Sequence, residues 1–180
     1  DGLTPLFYAV FGGNVAISKL LLEHPDVDVG IESVVGTTAV WMAAELGHVD
    51  ILKAFCKSGK VSQRDLNLQP SGVANGDKLR RRTGLFRAVE EGHFDTVEYL
   101  LTEMTPEGIM LPDDSGETPL HVAVRKKDLK MLSAFVVPGL SFSDQRELRD
   151  PEDFALLTMM RDDDVSLEEV IDYIGVADHA

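Results

Sequence analysis

A six-residue segment recurs four times in this chain, and that recurrence constrains the fold more than any other feature of the sequence. Thr4, Pro5, Leu6, Phe7, Tyr8, Ala9 is echoed by Thr38, Ala39, Val40, Trp41, Met42, Ala43. The third copy is Thr83, Gly84, Leu85, Phe86, Arg87, Ala88, and the fourth is Thr118, Pro119, Leu120, His121, Val122, Ala123. Successive copies start 34, 45 and 35 residues apart. Nine residues after each threonine stands Gly13, Gly47, Gly92 or Lys127, and a second apolar-periodic run follows. Those runs are Val15 to Leu22, Val49 to Cys56, Phe94 to Leu101 and Leu129 to Val136.

The chemistry of each position accounts for the pattern. A threonine just ahead of a helix accepts a hydrogen bond from an otherwise orphan backbone N–H, and proline at the first helical position gives up an N–H that had no partner. Ala9, Ala43, Ala88 and Ala123 are small enough to let neighbouring helices approach closely. The glycine after each first helix supplies a left-handed end. Each unit is then a helical hairpin with apolar faces on two sides, which it buries only by stacking on its neighbours.

This pattern resembles the ankyrin-repeat family, whose unit of 33 residues opens with Thr-Pro-Leu-His-x-Ala and turns at Gly-His. Thr118 to Ala123 matches every fixed position, and Gly47, His48 and Gly92, His93 match the turn. The chain departs from the motif at Phe7, Trp41 and Phe86, which replace its His, and at Gly84, which replaces its Pro. The resemblance covers nearly all of residues 1–137. It implies an all-α solenoid of stacked helix-turn-helix units with short β-turn fingers, forming a single domain over 1–180. The expected units span about 1–32, 33–60, 80–110 and 113–140, with an insertion loop at 61–79. A degenerate capping repeat is expected at 150–175, where Leu156, Leu157, Met159 and Met160 fall 150 positions after Leu6, Phe7, Ala9 and Val10. The first unit lacks the front of its own turn and any polar cap, so the chain reads as a fragment of a longer protein that continues upstream.

Composition narrows the function. The formal net charge of −14 argues against nonspecific binding to nucleic acid or anionic lipid, both of which need clustered cations. Residues 138–180 hold 12 Asp and Glu against 3 Arg, so much of the acid lies in the tail. No apolar run approaches the roughly 18 residues of a membrane span. The single cysteine, Cys56, excludes an internal disulfide and fits an intracellular, cytoplasmic setting; it aligns with Leu22 and Leu101, so a buried filler is expected. None of the five histidines has metal-ligand spacing or a nucleophile partner. His121 is expected to bond near its own helix start, and His48 and His93 to sit in the repeated turn. Asp162, Asp163 and Asp164 fail the calcium-loop pattern, because Tyr173 stands where the bidentate Glu is required. No catalytic residue, metal or cofactor is therefore expected, and the chain is not read as an enzyme.

The resemblance also implies where a partner binds, since partners of this family usually lie on the concave side made by the fingers and first helices. Carried over by position, the first-helix sites are Tyr8 and Phe11, then Met42, Glu45 and Leu46, then Arg87 and Glu90, then Arg125 and Lys126. The finger residues singled out are Arg80, Arg81 and Arg82. This set runs from aromatic and aliphatic groups to a strip holding six of the chain's 17 basic residues. The expected partner is another protein with an apolar anchor and an acidic segment, bound by a monomeric scaffold, adaptor or regulatory module. The alternative is a regulatory or substrate-recruiting domain of an enzyme or channel in the same longer chain.

Overall fold

The computed structural model describes residues 3–74 and 77–135. The first unit comprises α1 (Pro5–Phe11) and α2 (Val15–Glu23), and the second α3 (Ala39–Glu45) and α4 (Val49–Lys57). A short helix α5 (Gln63–Leu66) and a two-stranded hairpin, β1 (Val73–Ala74) antiparallel to β2 (Asp77–Lys78), precede the third unit. That unit is α6 (Gly84–Glu91) and α7 (Phe94–Glu103), followed by α8 (Pro106–Ile109). The fourth is α9 (Pro119–Arg125) and α10 (Leu129–Ala134). The first helices pack in the order α1, α3, α6, α9 and the second helices in the order α2, α4, α7, α10. The two rows enclose one core, in which Val10, Ala43, Ile51, Phe55, Phe86, Val97, Leu120 and Leu132 are sealed from solvent.

The local signals act as the sequence predicts. Thr4, Thr38, Thr83 and Thr118 each accept, through the hydroxyl, from the N–H three residues on, at 3.1 to 3.4 Å. His121 closes a reciprocal box at the last helix, its Nδ1 accepting from the Thr118 N–H at 3.1 Å. Each first helix ends in left-handed backbone, at Gly13 (φ 65°), Gly47 (φ 73°), Gly92 (φ 81°) and Lys127 (φ 53°). His93 reaches back one unit, its Nε2 lying 3.0 Å from the Glu45 carbonyl. His48 packs on Gly13, and burial, helped by the nearby His93, holds its pKa below the ordinary value.

Two expectations change. The 61–79 segment is not simply loop: the Asp65 carboxylate accepts both the Ser62 N–H (2.7 Å) and its hydroxyl (2.6 Å), which starts α5. The Gln63 amide then ties α5 to unit three, donating to the Glu103 carbonyl (2.6 Å) and accepting from the Thr105 N–H (3.1 Å). Gly72 lies so close to finger two that a Cβ there would meet the Val35 carbonyl oxygen at 2.3 Å. Cys56 is half-buried rather than enclosed, and burial raises its thiol pKa against the opposing hydrogen bond to Tyr99. The end of the fourth unit past Phe135, the capping repeat at 150–175 and the acidic tail with Asp162, Asp163 and Asp164 lie outside the described residues.

Candidate functional site

An open groove of about 980 Å³ runs along the edges of α3 and α6 beneath the second and third fingers. Eight of the expected binding residues line it: Phe11, Met42, Glu45, Leu46, Arg80, Arg82, Arg87 and Glu90. Tyr8, Arg81, Arg125 and Lys126 fall outside its lining. Tyr8 and Phe11 are 61% and 64% exposed on α1, where a core residue of the same size would be covered. Their positions follow from helix geometry: Leu6, Phe7 and Val10 turn inward, which leaves the opposite edge of a seven-residue helix to Tyr8 and Phe11.

The basic character expected for the strip is partly cancelled, because the stack sets an acid beside three of its six cations. Arg82 bonds Glu90 at 2.7 Å and Asp113 at 3.0 Å, with Glu117 at 3.9 Å, and its guanidinium lies 4.6 Å from the centre of the Phe86 ring. Arg87 bonds Glu45 (2.9 Å), Glu91 (3.0 Å) and Glu90. Arg125 bonds Glu117 at 2.8 Å, and Lys126 donates to the Glu90 carbonyl. This network crosses units two, three and four. Burial works against both ends of it and is outweighed. Asp113 stays below the usual carboxylate range because Ser115, Arg82 and the Glu117 N–H hold its charged form, and Arg87 is raised by Glu45 and Glu90.

Arg80 and Arg81 differ from the other cations. Both are exposed, and neither makes an ion pair among the described residues; Arg81 touches the Gln69 amide oxygen at 3.4 Å. Both are also left-handed, with φ of 52° and 55°, in a tight turn closed by the Arg82 N–H on the Leu79 carbonyl at 3.1 Å. Two residues before the capping threonine, Arg81 occupies the place held by Gly36 and Gly116 in neighbouring units, where φ is 79° and 87°. A side chain there costs about 1 kcal/mol relative to glycine, so the neighbours must hold the turn. They do so through the Arg81 N–H on Pro70 (3.1 Å) and the Asp114 N–H on the Arg80 carbonyl (2.9 Å).

Sequence reasoning passed over several groove residues. Leu79 and Trp41 line it beside Val35, which the repeat spacing does place in a finger, and the Trp41 indole donates to the Arg82 carbonyl at 2.9 Å, joining α3 to finger three. Asp113 anchors the ionic network and is not among the residues singled out from the sequence. Counting back five from each threonine would have found it, because the equivalent Ser33 also closes its finger, accepting from the Thr37 N–H at 3.2 Å.

Two family models match the chain, both described as ankyrin repeats, one over residues 1–65 and the other over 85–136. The chain belongs to the ankyrin-repeat family. The gap between the two matches holds most of the insertion. Among ankyrin-bearing relatives, the human transient receptor potential cation channel subfamily A member 1 is 28% identical over 72% of this chain and 11% of its own length. Potassium channel AKT3 of Oryza sativa subsp. japonica is 38% identical over 41% of this chain and 8% of its own length. Rabankyrin-5 of Mus musculus is 25% identical over 69% of this chain and 10% of its own length. The chain thus spans about a tenth of these relatives. Ankyrin repeats are generally protein-interaction modules, and no helix among the described residues is long and apolar enough to cross a membrane.

Proposed function

We propose that this ankyrin-repeat chain is a scaffold, adaptor or regulatory module that binds a polypeptide segment along the groove. The observation carrying this reading is the groove's polarity. Phe11, Met42 and Leu46 offer apolar surface at one end, and the fingers end in Arg80 and Arg81 at the other. Exposed aromatic groups beside arginine have the composition of binding hot spots. The segment places an apolar side chain over Phe11 and Met42 and an acidic group at the rim by Arg80 and Arg81. Arg82 and Arg87 do not meet that acid, because they already hold Glu45, Glu90 and Asp113. Binding residues are Tyr8, Phe11, Met42, Leu46, Arg80 and Arg81, with Glu45, Arg82, Arg87, Glu90, Arg125 and Lys126 as the framework that shapes the groove.

Selection from a displayed random-peptide library against the 180-residue chain tests the reading. Enriched peptides should combine an apolar anchor with an acidic residue, and should lose about tenfold or more in affinity to Met42→Glu. Peptides that bind Met42→Glu and Phe11→Glu as well as the parent chain would place the binding surface elsewhere. A second reading, a regulatory domain within a channel polypeptide, is favoured by the two relatives that are channels by name. Sequencing the full transcript decides it through the presence or absence of a pore-forming region.

A further inference from the structure

Unit one carries an apolar face that its counterparts keep covered. Ile17 is 47% exposed, while Ile51, Thr96 and Met131, which follow it at the repeat spacing, are at most 1% exposed. Leu20 is 67% exposed, whereas Ala54 and Tyr99 pack against the core and Ala134 is buried. Pro5 is exposed, whereas Ala39, Gly84 and Pro119 at the same first-turn position are buried.

The covering group in units two to four is the unit before. Helices α2, α4, α7 and α10 pack in sequence, and a Cβ on Gly84 would lie 2.8 Å from the Ala44 Cβ, so the first turn of α6 rests on α3. Unit one presents the same positions, at the same spacing, with no described residue stacked upon them. We propose that this face seats one more helical hairpin of the repeat type, carried by the same polypeptide ahead of α1. The argument is continuity with an interface that the chain already forms three times. A lipid surface or an unrelated protein would not require apolar residues at each position equivalent to a stacking contact. Asn14 stands where His48 and His93 reach back to a preceding unit, and caps its own helix through the Ile17 N–H at 3.0 Å. Asp128 does the same at α10 (3.0 Å to the Met131 N–H), and α10 is stacked on α7 nonetheless.

The test fuses a consensus ankyrin hairpin ahead of Asp1 in the repeat register. Covering Ile17 and Leu20 should raise the melting temperature by about 10 °C and slow amide exchange in α1 and α2. The double substitution Ile17→Glu, Leu20→Glu should abolish that gain in the fusion. In the unfused chain it should leave the melting temperature nearly unchanged, because both side chains are already exposed. A fusion with no gain, or a gain that survives the double substitution, overturns the proposal. Sedimentation of the unfused chain as a dimer that the double substitution breaks also overturns it, since the face would then seat a second copy.

Discussion

Replacing Arg82 with methionine keeps the side-chain stem and removes the charge at the centre of the ionic network. The Asp113 side chain has no solvent exposure, and Arg82 is 13% exposed, so water cannot replace the lost guanidinium. Truncating one partner of such a pair typically costs about 3–5 kcal/mol. Asp113 Oδ1 keeps the Ser115 N–H (2.8 Å), its hydroxyl (2.5 Å) and the Glu117 N–H (3.2 Å), which pulls the cost to the lower end. Glu90 also keeps Arg87. The expected loss is about 3 kcal/mol at pH 7, or roughly 6–12 °C in melting temperature for a domain of this size. The pH dependence gives a second signature. The folded pKa of Asp113 lies below its unfolded value, so its stabilisation is complete above about pH 4 and disappears as pH falls through the folded pKa. Parent and Arg82→Met should therefore converge in strong acid. Urea unfolding followed by the single tryptophan is a direct assay, because the Trp41 indole bonds the Arg82 carbonyl. A loss under about 0.5 kcal/mol at pH 7, or one that does not shrink in acid, would refute the reasoning.

Three further outcomes follow from single contacts. Arg81→Gly relieves a left-handed side-chain position and should stabilise the chain by about 0.5–1 kcal/mol in urea melts, even as it removes a proposed binding group. Gly84→Ala improves helix propensity yet should destabilise by about 1–3 kcal/mol, since the added methyl would come within 2.8 Å of the Ala44 Cβ; calorimetry reads the sign. His48 has a lowered folded pKa, so the stability it contributes is complete above about pH 6.5 and lost as pH falls through that lower value. His48→Gln should flatten the stability profile as pH falls below about 6.5, measured by urea melts at each pH.

The hairpins and their stacking were legible in the sequence because their determinants are local. A threonine hydroxyl reaches an N–H three residues on, a left-handed position ends a helix within a turn, and small or apolar groups recur with the repeat, so spacing alone locates them. The first-helix and finger positions were legible for the same reason, and eight of the twelve residues singled out meet in one groove. The groove's charge was not legible. Arg87 finds Glu45 from 42 positions back and Arg82 finds Asp113 from 31 positions ahead, so a count of basic residues along the chain treats as free what the stack has paired. Nor did local signals show that Arg81 holds a left-handed turn, since only the Pro70 and Asp114 backbone contacts make that conformation persist. Helix starts and ends depend on residues within one turn of each other, whereas ion pairing and backbone strain depend on which units the stack sets side by side.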